Sequence, residues 1–230
     1  MTERNAPCPP YADRDAAAAA LAEPLRFLAG DPAAVVLGLA RGGVPVAAGI
    51  AGRLSLAWDA LVVRKLGVPG HPEVAFGALA AHGGARAAYH SDAVRAGLGL
   101  RAGRRALRVV EEQEAAELDR RQRDYLAGRI PDVTGRTVVL ADDGLATGAT
   151  LRAALAVLST SDPARCIAAV PVGPPSACAD LEPAVDRLVC PCRPEDFRAV
   201  GAAYESFDQV SDDEVHRLLD GPGGPGFTGG

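Results

Sequence analysis

Short apolar runs alternate with helix-patterned segments along most of this chain, and that alternation restricts the fold more than any other feature. The runs are "AVVLGLA" (34–40), "DALVVR" (59–64), "AFGALA" (75–80), "TVVLA" (137–141), "CIAAVPV" (166–172) and "RLVCP" (187–191). Each has the length and uniform apolarity of a strand covered on both faces. Helical stretches separate them at residues 15–29, 44–54, 101–126 and 149–158, with Pro45 in a first helical turn where its missing N–H costs nothing. The expectation is an α/β fold with a largely parallel sheet of about five strands, six at most, flanked by helices. Residues 81–100, rich in Gly, Ala and His without a clear period, read as a mobile loop. The charged helix 101–126 carries arginines suited to pairing and solubility.

Residues 1–220 read as a single domain, a length that buries one substantial core. Within it, about 190–220 ("CRPEDFRAVGAAYESFDQVSDDEV" and onward) reads as a small hood or lid, or as a homodimer element. The final "DGPGGPGFTGG" reads as a disordered tail. Apolar residues make up 48% of the chain, which argues against disorder, and no run approaches the length of a membrane span. "MTERNAPCPPYADRD" lacks the apolar centre of a secretory signal, so a cytoplasmic location is the default. A net charge of −5 disfavours nonspecific nucleic-acid binding. The five cysteines (8, 166, 178, 190, 192) match no disulfide framework and read as reduced thiols. "CPC" at 190–192 has no second Cys or His pair to complete a metal site. The four histidines are scattered and read as exposed loop residues.

The stretch with the most chemistry is "VVLADDGLATGATLRAALAVL" (138–158). A buried strand ends in Asp142 and Asp143, and a Gly/Thr-rich turn then opens a helix. Backbone amides at such a turn, with the helix dipole, suit a phosphate. Gly148 and the small Ala146 and Ala149 allow close approach, and Thr147 and Thr150 add hydroxyl donors. No Lys follows the last Gly, so this is not a Walker A loop. Two carboxylates would repel the phosphate itself but would accept hydrogen bonds from a neighbouring diol, which makes a sugar phosphate the fitting ligand. The plainer alternative is that one Asp caps the helix.

Two further strand ends carry cations. "GLARGGVP" (38–45) presents Arg41 with Gly42 and Gly43, a planar guanidinium and open amides suited to a second anionic group such as pyrophosphate. "VVRKLG" (62–67) adds Arg64 and Lys65. In an open parallel sheet, loops at the carboxyl ends of neighbouring strands face one crevice. Taken alone, "RGG" is more often just a turn, and a solvated strand end is nearly as common an account of Arg64 or Lys65 considered singly.

Together they carry a resemblance. "VVLADDGLATGAT" resembles the phosphoribosyl pyrophosphate signature of type I phosphoribosyltransferases, and "GLARGGVPVA" resembles that family's pyrophosphate loop. "RKLGVPGHPEVAFGALA" is similar to a segment of bacterial phosphoribosyltransferase-like proteins of unassigned acceptor. The resemblance spans roughly residues 25–220. It implies a five-stranded parallel sheet, a flexible loop at 81–100, a variable hood, and Mg²⁺ bound with the sugar diphosphate. By the same resemblance Asp142 and Asp143 hold the ribose hydroxyls, directly or through metal; Ala146, Thr147, Gly148, Ala149 and Thr150 cradle the 5-phosphate; and Arg41, Gly42 and Gly43, with Lys65 and Arg64, meet the pyrophosphate. Lys65 joins the two aspartates as a catalytic candidate. Hypoxanthine and guanine enzymes place an Asp where this chain has Ala146, whereas adenine-type enzymes share the Ala.

The implied reaction is transfer of 5-phosphoribosyl from phosphoribosyl pyrophosphate to an unidentified nitrogen-containing acceptor. Phe197, Tyr204 and Phe207 in the hood are candidates to stack on a flat acceptor or to pack the lid. Two rival readings stand beside transfer: a non-catalytic phosphoribosyl-pyrophosphate sensor or regulator, and a sugar-phosphate phosphatase or phosphorylase.

Overall fold

The computed structural model describes residue 8, residues 10–97 and residues 102–225. Its spine is β1 (Ala34–Ala40), all seven residues of which are buried. Alternate side chains of β1 enter opposite layers, as the period of two requires. Val36 and Ala40 pack with α1 (Arg14–Ala22) and α2 (Gly43–Leu54), through residues such as Leu21, Val46 and Ile50. Val35, Leu37 and Leu39 face α5 (Ala149–Leu158) and α6 (Pro175–Leu181), through Leu151, Val157 and Leu181. An evenly apolar strand is what a doubly covered position demands.

On one side β1 pairs in parallel with β5 (Thr137–Ala141), and the parallel arrangement continues to β6 (Arg165–Ala169) and β7 (Arg187–Val189). On the other side it pairs in parallel with β2 (Ala57–Val68). Five strands are therefore parallel, in accord with the sequence expectation. Two more, β3 (His71–His82) and β4 (Ala85–His90), extend the sheet antiparallel, giving seven strands in the order β4-β3-β2-β1-β5-β6-β7.

The two added strands revise the reading of the middle of the chain. "KLGVPGHPE" is not one long turn: β2 runs to Val68, β3 starts at His71, and Pro69–Gly70 alone make the bend, with Gly70 at φ +83°. Part of the expected mobile loop 81–100 is a second hairpin, turned at Gly83 and Gly84, both at positive φ. Two consecutive left-handed residues match the twist of a tight hairpin, and glycine adopts them without a Cβ clash. A short helix, α3 (Asp92–Gly97), follows; residues 98–101 lie outside the described residues, and with them the end of that expected loop.

α4 (Ala102–Leu126) and α7 (Asp212–Asp220) complete the layer that holds α1 and α2. Ser211 caps α7 by accepting from the Glu214 amide, and three acidic residues fill its first turn, where the helix dipole favours them. Of the expected disordered tail, residues 221–225 fold back, and the Trp58 indole donates to the Gly223 carbonyl at 2.8 Å; residues 226–230 lie outside the described residues. Two expectations about single residue types are overturned. Cys8 and Cys192 are joined by a disulfide, while Cys166, Cys178 and Cys190 are free. His82 is buried at the end of β3, and His90 stacks on Phe76, so neither is an exposed loop residue. No described helix is long and apolar enough to cross a membrane.

Candidate functional site

β1 and β5 end side by side, and β2, paired in register with β1 as far as Val62, continues past them to Val68. There they border a crevice of about 490 Å³ lined by Arg41, Gly42, Arg64, Lys65, Asp142, Asp143 and Thr150, with Arg14, Arg121, Val200, Phe207, Gln209 and Val210 closing it from the sides. That volume falls in the range of small-molecule sites. The Arg41–Gly42, Arg64–Lys65 and Asp142–Asp143 segments singled out in the sequence meet here, with Thr150 beside them.

The loop after β1 lies directly against the aspartate pair. A Cβ on Gly42 would stand 2.1 Å from Asp143 Oδ2, and one on Gly43 would stand 2.3 Å from the Ala141 carbonyl oxygen. These glycines thus permit contact between the Arg41 loop and the Asp loop, beyond any amides they offer. Arg41 itself reaches away, to Asp212 Oδ1 in the first turn of α7, at 3.1 Å.

Asp142 and Asp143 are differently engaged. Asp142 Oδ1 accepts from the Asp143 amide at 2.9 Å, and its Oδ2 is the distant acceptor of the Thr150 hydroxyl at 3.4 Å. Burial, and next the charge of Asp143, push the Asp142 carboxyl up to about 7 against the opposing attraction of Lys65. Asp143 Oδ2 accepts two hydrogen bonds from Arg14 of α1, from Nε at 3.1 Å and Nη2 at 2.9 Å. Its Oδ1 has no hydrogen-bond partner among the described residues.

The turn after Asp143 forms a small recess from Gly144 to Thr150, with Lys65 on its rim. Gly148, at φ +75°, is the N-cap of α5. Among the described residues, the backbone amides of 146–151 have no acceptor, whereas Leu145 and Arg152 donate to Val172 and Gly148. A row of open amides at a helix start is an anion site. Ala146 and Thr147 are exposed, and Gly148 and Ala149 are buried beneath them. The Thr150 hydroxyl leans toward Asp142 rather than into the recess.

Strand alternation separates the two cations of β2. Arg64 shares its face with Val62 and Leu66 and meets α4, where Nε donates to Glu114 at 2.6 Å. Lys65 shares its face with Leu61 and Val63, on the α5 side, and borders both the crevice and the recess. They approach from opposite faces of the sheet, not as a paired charge. Lys65 makes no hydrogen bond or ion pair among the described residues.

Segments from both ends of the chain pack together beside the crevice. Tyr11 bridges Tyr204 through hydrogen bonds from the Tyr11 amide to Ala203 and from the Glu205 amide to Tyr11, and the Cys8–Cys192 disulfide ties the same segments. The Tyr204 hydroxyl donates to the Asp143 carbonyl at 2.7 Å, and burial, with the Asp143 charge second, raises its pKa. Phe207 stacks on Tyr204 at 4.8 Å and carries the Arg14 guanidinium 4.2 Å above its ring. Tyr204 thus packs between Phe207 and the aspartate loop and does not line the crevice. Phe197 lies outside the crevice, beside Cys8 and Cys192. Sequence reasoning missed Arg14 and Asp212: each is an ordinary charged residue near a helix start, and only the fold brings them to residues 129 and 171 positions away.

Comparison with known proteins agrees with this geometry. Two Mycobacterium tuberculosis proteins, from strains CDC 1551 / Oshkosh and H37Rv, each provisionally named a phosphoribosyl transferase, are 44% identical to the chain over 212 residues, 91% of its length. The chain spans about half of them, 46% of their length. The crystal structure of TT1426 from Thermus thermophilus superposes with a TM-score of 0.70 at 41% identity, covering 90% of this chain and 96% of that one. Residues 13–196, which include the Arg41 loop, Lys65, the aspartate pair and the open-amide recess, match the phosphoribosyl transferase domain, and the chain belongs to that family.

Proposed function

We propose that the chain transfers the 5-phosphoribosyl group of phosphoribosyl pyrophosphate to a nitrogen-containing acceptor, releasing pyrophosphate, with Mg²⁺ as cofactor. The observation that carries this reading is the position of Lys65, the cation shared by the open-amide recess and the crevice that holds Arg41 and the aspartates. A ligand with phosphate at one end and diphosphate at the other meets positive charge at both, and carboxylate acceptors between.

In this reading the amides of 146–151 bind the 5-phosphate, and the free Oδ1 of Asp143 accepts from a ribose hydroxyl. Arg14 holds Asp143 in place for that purpose. Asp142 accepts from the second hydroxyl. Arg41 and Lys65 receive the diphosphate, while Arg64, held by Glu114, contributes field rather than contact. As the bond from the anomeric carbon to the diphosphate oxygen breaks, a bond to the acceptor nitrogen forms, and the proton of that nitrogen passes to water. The electron pair leaves on pyrophosphate, where Arg41 and Lys65 lower its energy. Holding the sugar at both ends beneath the hood orients it for attack.

The donor set fits Mg²⁺: hard carboxylate oxygens, one without a protein partner, and no third metal-binding side chain grouped with them among the described residues. A magnesium ion commonly takes one or two carboxylates and completes its shell with water and substrate oxygens. Bound there, it would neutralise charge on the leaving diphosphate.

Calorimetric titration with phosphoribosyl pyrophosphate, with and without Mg²⁺, tests the donor site, and pyrophosphate release across a panel of nitrogen acceptors tests transfer. Micromolar, metal-dependent binding followed by release with one acceptor class is the expected result. Absence of binding sinks the reading; binding without release from any acceptor favours the sensor.

A further inference from the structure

The four arginines around the crevice are all engaged with carboxylates, but Arg41 stands apart in what holds it. Arg64 pairs with Glu114 and Arg121 with Glu117, both on α4, and Arg14 pairs with Asp143 inside the site. Arg41 is held by Asp212, a residue of the C-terminal helix outside the phosphate-binding loops. Asp212 is densely served: Oδ1 accepts from Arg41 Nη1 at 3.1 Å and from the Tyr125 hydroxyl at 2.7 Å, and Oδ2 accepts from Arg120 Nη2 at 3.2 Å. The hydrogen bond from Tyr125, with Arg120 and Arg41 adding to it, keeps the carboxylate ionised, well below the usual range at about 2.

Two features make the Arg41–Asp212 contact exchangeable. Its side chains keep 21% and 34% of their surface exposed, so an anion can reach the guanidinium from the crevice. Loss of Arg41 also leaves Asp212 satisfied, because Tyr125 and Arg120 still serve both oxygens. A carboxylate offers Arg41 a single charge. A diphosphate offers more charge and several oxygens in the fork geometry a guanidinium prefers.

We propose that Asp212 is an internal competitor at Arg41: it occupies the guanidinium in the ligand-free protein and yields it to a diphosphate, so that ligands without one gain nothing from Arg41. The proposal rests on the reading that Arg41 meets the pyrophosphate group. It makes Asp212, on the hood side, a determinant of selectivity for diphosphate over monophosphate ligands, and it couples diphosphate arrival to release of one tether between α7 and the β1 loop.

The test is calorimetry on the full chain with two probes: Mg²⁺–pyrophosphate, which needs Arg41, and ribose 5-phosphate, which needs only the recess and the aspartates. In Asp212→Asn the competing charge is gone, and pyrophosphate is expected to bind about two- to fivefold more tightly, the span of a partly exposed ion pair. Ribose 5-phosphate affinity stays unchanged. Tyr125→Phe removes a donor that shares Asp212 Oδ1 with Arg41, strengthening the remaining contact, so pyrophosphate binding weakens about twofold and ribose 5-phosphate is again unaffected. Opposite shifts in the two variants, confined to pyrophosphate, support competition. Unchanged pyrophosphate binding in both, or parallel weakening of both probes, overturns it in favour of a purely structural Asp212. Should Asp212→Asn fail to fold, the Tyr125→Phe result decides alone. Failure of the parent to bind either probe removes the functional reading itself, which is distinct from equal binding by parent and variants.

Discussion

Arg14 and Asp143 lie 129 residues apart in sequence and 2.9 Å apart in the fold, joined by two hydrogen bonds to a single carboxylate oxygen. The pair is largely shielded, at 13% and 17% side-chain exposure, and Arg14 also donates to the Asp208 carbonyl and covers Phe207. One side chain thus ties the 207–208 segment to α1 and orients the Asp143 carboxylate. Removing one partner of a shielded pair leaves the other charge uncompensated. Arg14→Ala is expected to cost about 2–3 kcal/mol, a Tm drop of roughly 5–10 °C for a chain of this size, and to weaken phosphoribosyl pyrophosphate binding. A double-mutant cycle with Asp143→Asn reads the coupling; strictly additive losses would show that the pair contributes nothing of its own.

Asp142 carries the opposite relation to stability. Its carboxyl is pushed up to about 7, from an unfolded value near 3.8. Between those values the folded protein holds a proton that the unfolded chain has released, so stability falls as pH rises through that window. Asp142→Asn removes the penalty. The ligand-free variant is expected to melt several degrees above the parent at pH 8, with the difference shrinking to nothing below about pH 4, while sugar-phosphate binding is lost. Melting curves across pH decide it: a gain that is constant with pH would assign the effect to packing instead of charge.

The parts of this fold that are legible in sequence are those whose environment is uniform. β1 and β5 are buried on both faces and read as unbroken apolar runs, and the Gly/Thr turn before α5 advertises its open amides by composition alone. β4 is hidden because its "ARAAYH" is small, half-exposed and poor in β-branched residues, although the Gly83–Gly84 dipeptide before it is itself a hairpin signal. Arg64 and Lys65 are adjacent letters on opposite faces, a distinction visible only once β2 is known to continue through them. Arg14, Asp212 and the Cys8–Cys192 pairing carry no local mark, since tertiary contact alone creates their roles.

The disulfide makes a direct prediction. It closes 184 residues of separation and ties the segment bearing Tyr11 and Arg14 to the hood. Cys190, whose Sγ donates to the Cys192 carbonyl at 3.3 Å, is a candidate to attack it, but a hydrogen bond with Cys178, and burial, push its thiol pKa up. The bond should therefore stay in place without reductant. Alkylation of the unfolded protein is expected to modify three thiols, and five after reduction. Cys8→Ser should lower the urea midpoint by an amount equivalent to about 2–4 kcal/mol. Five reactive thiols without reductant would show that the clasp does not form.

Two glycines at and within α2 should respond to the same substitution with opposite signs. A Cβ at Gly52 meets nothing within 4 Å, whereas one at Gly42 would stand 2.1 Å from Asp143 Oδ2. Gly52→Ala trades backbone freedom in the unfolded chain for better helix propensity and should stabilise by about 0.5–1 kcal/mol without touching ligand binding. Gly42→Ala forces Asp143 or the Arg41 loop to move. Since Asp143 is held by Arg14, that displacement is expected to cost about 2 kcal/mol or more and to abolish phosphoribosyl pyrophosphate binding. Paired melts and titrations on the two variants test the close approach of the β1 loop to the aspartates: a Gly42→Ala protein that binds like the parent would mean the loop has room to retreat, and that its contact with Asp143 is incidental to the site.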